Sequence, residues 1–84
     1  MEGRVVLLNE KNRRVAIKNR LGEYSVADVR KGALPSVGDL VAGDFREPGT
    51  IFAANLSKHE LLGLDIKLAV DPVAHRARAF IGAT

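Results

Sequence analysis

Over residues 62–70 a large aliphatic residue takes every second position. Leu62, Leu64, Ile66, Leu68 and Val70 alternate with Gly63, Asp65, Lys67 and Ala69. A period of two belongs to a β-strand with one face buried, so this segment predicts the clearest strand of the chain. Arg4–Leu8 is a run of aliphatic and β-branched residues, and after Asn9–Asn12 the segment Arg13–Lys18 alternates charge with Val15 and Ile17. The two read as a hairpin with a polar, basic tip. Asn19–Gly22 supplies turn chemistry, with Gly22 suited to a positive φ, and Glu23–Val29 resumes the extended pattern with Tyr24 and Val26 on one face. Gly32, Pro35, Ser36 and Gly38 mark a loop over Lys31–Asp39. Leu40–Phe45 predicts a fourth strand, with Gly43 at a bulge or tight bend. Thr50–Ser57 fits a short strand and a helical turn almost equally, the strand slightly ahead.

After the alternating segment, Asp71 can cap a helix with Pro72 at its first position and a left-handed Gly82 at its end. Val73, Ala77 and Phe80 or Ile81 would share its apolar face. Residues 71–84 are therefore expected to form a short C-terminal helix, with a frayed tail as the alternative. Residues 1–70 are expected to form the β-barrel domain, since a few short strands leave edges that closure removes. The expected fold is all-β: a small five-stranded OB-like barrel, with an SH3-like barrel as the competitor.

Composition narrows the class. A chain of 84 residues holds one small core, and with no cysteine neither disulfides nor thiolate metal sites can brace it. Apolar residues at 46% and charged residues at 27% fit an ordinary globular domain, while 5% aromatic residues leave few stacking surfaces. The first apolar run is too short for a signal core or a membrane span, so a cytoplasmic location without membrane contact is expected. The net charge of +3 is unevenly spread. Residues 1–31 carry eight basic and four acidic side chains, residues 32–75 three and six, and Arg76 and Arg78 follow. The positive field thus belongs to the two ends of the chain.

Gly3-Arg4-Val5-Val6, Arg14-Val15-Ala16-Ile17, Gly22-Glu23-Tyr24-Ser25-Val26 and Val37-Gly38-Asp39-Leu40-Val41-Ala42-Gly43-Asp44 carry a resemblance. Over residues 3–70 the chain resembles small bacterial OB-fold proteins of the cold-shock and S1-like kind. The resemblance implies a barrel that binds oligonucleotides across its second and third strands. Cold-shock domains interleave phenylalanines on the second strand, whereas Arg13–Lys18 has no aromatic residue. Stacking there, worth roughly 1 to 3 kcal/mol per base, is missing.

The candidate site is the basic hairpin. Arg14, Lys18 and Arg20 fall opposite Val15 and Ile17 and should face solvent together, joined by Arg13 and by Tyr24 as a stacking ring. Such a stripe would contact phosphates and release counterions, which points to single-stranded nucleic acid, RNA in particular. The plainer reading is a solvated face whose charges discourage aggregation. The alternative function is protein interaction or self-association through the last strand and residues 71–84. Phe45 and Phe52 are assigned to the core. His59 and His75 lack the spacing of metal ligands, and Asp39, after Gly38, suits a turn better than acid–base work. No nucleophile–base pair, phosphate loop or dinucleotide fingerprint occurs, so no catalysis, metal or cofactor is expected.

Overall fold

The computed structural model describes residues 1–82. Six strands form: β1 (Glu2–Asn9), β2 (Arg14–Asn19), β3 (Tyr24–Lys31), β4 (Leu40–Ala42), β5 (Gly49–Asn55) and β6 (Glu60–Asp71), followed by helix α1 (Ala74–Gly82). All pairings are antiparallel, and the order β1-β2-β3-β6-β5-β4 closes on itself through β4 and β1. Two three-strand meanders are thus joined by the long connection from β3 to β4. Gly32 begins that connection at φ +92°, where a Cβ would lie 2.7 Å from the Leu61 carbonyl oxygen, so only glycine lets the chain turn against β6.

The all-β barrel agrees with the sequence pattern, but it has six strands rather than five. The sixth is β5, inside the stretch that fitted strand and helix equally. Its apolar residues face both ways: Ala53 is buried, while Phe52, assigned above to the core, is 76% exposed. Two-sided hydrophobicity erases the period-two signal. The fourth strand is shorter than expected, ending at Ala42, and Phe45 reaches the core from the following bend.

Val5, Val15, Ile17, Ala27, Val29, Val41, Phe45, Leu62, Leu64 and Ile66 fill the barrel. A second, smaller cluster lies outside it, where Ala77 of α1, fully buried, and Ile81 pack on Val6, Leu7, Ala16, Tyr24, Val26 and Leu68. Two bulges make this outer seat. Register slips between Val5 and Leu7 in β1, so Val6 and Leu7 join the outer cluster while Leu8 packs on the core. It slips again opposite Val26 and Ala27, where Lys67 is the extra residue of β6. The strict alternation of residues 62–70 therefore does not bury one face throughout: Leu68 turns outward to the helix and Ala69 packs on the core.

The helix begins later than its sequence signals suggested. Asp71 accepts from the Val73 N–H at 2.8 Å, so Asp71 and Pro72 form the turn ahead of the helix, which starts at Ala74. Gly82 is its last described residue and lacks a left-handed φ. Ala83 and Thr84, the end of the predicted 71–84 segment, lie outside the described residues. No basic side chain stands in the last turn of α1 to meet its free carbonyls. The sheet supplies the donors instead: Arg14 Nη1 reaches the Phe80 carbonyl at 2.8 Å and Asn9 Nδ2 the Ile81 carbonyl at 2.9 Å.

Candidate functional site

Cross-strand register decides which of the hairpin cations meet. Arg14 stands opposite Asp28 and binds it at 2.6 Å, its side chain only 13% exposed. That hydrogen bond holds the Arg14 guanidinium above its ordinary pKa. Arg14 therefore does not face solvent beside Lys18 and Arg20. It ties β2 to β3 and to the end of α1. Arg30 bridges Asp28 and Asp65 at 3.8 and 3.2 Å, and Lys67 holds Asp65 at 2.8 Å. These cations neutralise two aspartates that would otherwise repel across β3 and β6. Arg13 occupies a left-handed turn position at φ 54° and donates to the carbonyls of Val29 and Gly32 at 3.1 and 2.7 Å. It is exposed, but its guanidinium fastens the hairpin to the end of β3.

Lys18 and Arg20 remain exposed, and they gain a neighbour that the stripe had left out. The β1 bulge shifts register so that Arg4 lies opposite Lys18; the pairing of Asn9 with Arg14, extended without the bulge, would have set it opposite Asn19. A single row then crosses the outer face: Leu40, Arg4, Lys18, Tyr24 and Asp71, each paired with the next. Arg4 is steadied by donating to the Gly38 carbonyl at 3.1 Å. The Lys18 ammonium lies 5.8 Å from the centre of the Tyr24 ring, within cation–π range. Tyr24 is half-buried, packed into the seat of α1, and borders a small hollow with Val6, Leu7 and Arg78.

Arg4, Lys18 and Arg20 line one side of a shallow groove of about 280 Å³, with Glu2 at its edge. A second hollow of about 390 Å³ adjoins it beneath Met1, Arg20, Leu21 and Glu23. Asn19 sets the rim by accepting from the N–H groups of Leu21 and Glu23 at 3.0 and 2.9 Å. None of Arg4, Lys18 and Arg20 forms an ion pair among the described residues. Three cations against Glu2 and Glu23, the latter accepting from Asn19 at 3.1 Å, leave the groove with a small positive excess.

The carboxylates offer little chemistry elsewhere. All five aspartates stand in ion pairs. Asp39 accepts from Asn55 at 2.9 Å and from the Ser36 N–H at 2.9 Å, as its turn position suggested, and these bonds with Lys58 lower its pKa. Asp44 is lowered to about 2 by hydrogen bonds from the Arg46 side chain and backbone, leaving no proton to donate near neutrality. Among the described residues no three His, Cys, Asp or Glu side chains gather as metal ligands, and no helix is long and apolar enough to cross a membrane. The surface can hold an anion by charge and hydrogen bonding, in an open groove without an enclosed cavity. No family model, curated protein or solved structure matches this chain.

Proposed function

We propose that this chain is a small non-catalytic binding module for nucleic acid, holding the phosphates of a single strand, RNA in particular, on the row of Arg4, Lys18 and Tyr24 with Arg20 at its rim. The observation that carries the reading is the direct pairing of Arg4 with Lys18, two exposed cations without carboxylate partners among the described residues, beside a tyrosine. Neighbouring strands lie about 4.8 Å apart, so the row is roughly 10 Å wide, with α1 standing beside it. That width suits one phosphate backbone better than two. Arg13 and Arg14 support the barrel and helix in this reading and leave ligand contact to the row. Assembly through the last strand finds β6 already paired with β5 over 60–66 and with β3 over 63–71, and the buried face of α1 is already packed on the barrel.

Fluorescence anisotropy with labelled single-stranded RNA, single-stranded DNA and duplex DNA, at two salt concentrations, tests the proposal. Salt-sensitive binding that prefers single strands and weakens in a folded Arg4→Ala/Lys18→Ala variant is the expected result. Equal binding by that variant would remove the row from the interface.

A further inference from the structure

Phe52 adds nothing to the barrel core. It lies in the middle of β5 on the outer face with 76% of its surface in water, and Leu61, its diagonal neighbour on β6, is 75% exposed. Phe52 and Leu61 thus adjoin as an apolar patch on an exposed sheet face, and a contiguous apolar patch marks an interaction site. The register neighbours of Phe52 say for which partner. Phe52 pairs with Gly63, and Gly63 pairs with Lys31 on β3. A Cβ on Gly63 would lie 3.1 Å from the Lys31 Cβ, so the lysine stem leans across the glycine, which is itself buried. Lys31 forms no ion pair among the described residues, and Arg30 and Lys67 stand close by on the same face with Asp65 held between them.

We propose that Phe52 and Lys31 form a base-stacking platform for single-stranded nucleic acid on either side of Gly63, with a base on the ring and its phosphate at the lysine ammonium. A second copy of this chain fits poorly, because a two-fold contact through Phe52 would bring together the Lys31 of both copies, which no carboxylate neutralises among the described residues. The platform rests on the nucleic-acid reading above for its ligand class. It adds the base contact the phosphate row lacks, since the Tyr24 ring already carries Lys18. Tyr24 and Lys31 are the first and last residues of β3, about 23 Å apart at 3.3 Å per residue, so only longer strands engage both sites.

The test compares Phe52→Ala, Phe52→Trp and Arg4→Ala/Lys18→Ala against two labelled probes, a 12-nucleotide oligouridine and inorganic polyphosphate, which has charge without bases. Loss of one stacked base predicts that Phe52→Ala binds oligouridine roughly five- to a hundredfold more weakly. Its polyphosphate affinity and melting temperature should hold, because the ring is exposed. Phe52→Trp should bind at least as well as the parent, with its indole fluorescence quenched by the oligonucleotide. Unchanged oligouridine binding by Phe52→Ala overturns the platform, and if the Arg4/Lys18 variant loses both probes the phosphate row survives that failure. Equal loss of both probes in Phe52→Ala also overturns it, as does a parent dimer in sedimentation that Phe52→Ala abolishes.

Discussion

The salt dependence of binding measures the proposed row directly. Each phosphate contact to a single strand contributes a slope of about −0.7 in log affinity against log salt. Arg4, Lys18 and Arg20, one phosphate each, give a total near −2 by that rule. Raising salt from about 50 to 200 mM should then weaken binding roughly 20-fold for the parent. On a strand too short to reach Lys31, the Arg4→Ala/Lys18→Ala variant keeps only Arg20, so its slope should fall to about −0.7 and its loss over the same interval to between about two- and threefold. Anisotropy titrations at four salt concentrations give both slopes. Among the described residues neither side chain packs in the core or joins an ion pair, so the melting temperature should stay within a few degrees of the parent. Lys11→Ala, an exposed change at the far tip of the hairpin, is the control. An unchanged slope in the double variant, or an equal reduction by Lys11→Ala, would refute the assignment of the row.

Three further outcomes follow from the geometry. Asp39, Asp44, Asp65 and Asp71 all have depressed pKa values, caused chiefly by hydrogen bonds from Asn55, Arg46, Lys67 and the Val73 N–H respectively. Their contribution is complete above the unfolded aspartate pKa of about 4 and is lost as pH falls through the folded values. Urea midpoints should therefore hold from pH 7 to 5 and drop below about 4; a drop already complete by pH 5 would contradict this. His59 sits in the β5–β6 turn at φ 55° with its side chain exposed. His59→Gly should raise stability by about 0.5 kcal/mol by urea titration, the left-handed strain relieved being partly offset by backbone entropy. Arg13→Gly should not, since it forfeits the bonds to Val29 and Gly32. Ala77→Asp places a charge at a position with no exposure, which should free α1 and open Arg76 and Arg78 to trypsin while amide spectra of the barrel persist. Loss of the whole spectrum would show instead that the barrel depends on the helix.

Local chemistry carried much of the fold to the surface of the sequence. The first hairpin, the Gly22 turn with its φ of 79° and the turn role of Asp39 all follow from residues within a few positions of one another. Register does not. The partner of Arg14 is fourteen residues away on β3, and the Val6 bulge that sets Arg4 opposite Lys18 looks in sequence like one more aliphatic residue. The expected stripe therefore counted Arg13 and Arg14 and left out Arg4. Phe52 misled for a related reason: hydrophobicity is the usual sign of burial, and an outward-facing ring reads as core until its strand is seated.

The bulges in β1 and β6 give this chain an unusual tolerance to changes in length. Removing a residue from a regular strand rotates everything beyond it to the wrong face, so single-codon deletions in sheets are usually ruinous. At Lys67 the count is already one too many, and its excision would remove one of the offsets between β6 and β3 while Leu68 still met the helix and Ala69 still met the core. The same loss at Ala16, in the regular ladder between β2 and β3, would invert the rest of its strand. Frame-preserving deletions should therefore survive in the middle of the longest strand, a place where loop-based intuition would never look for them.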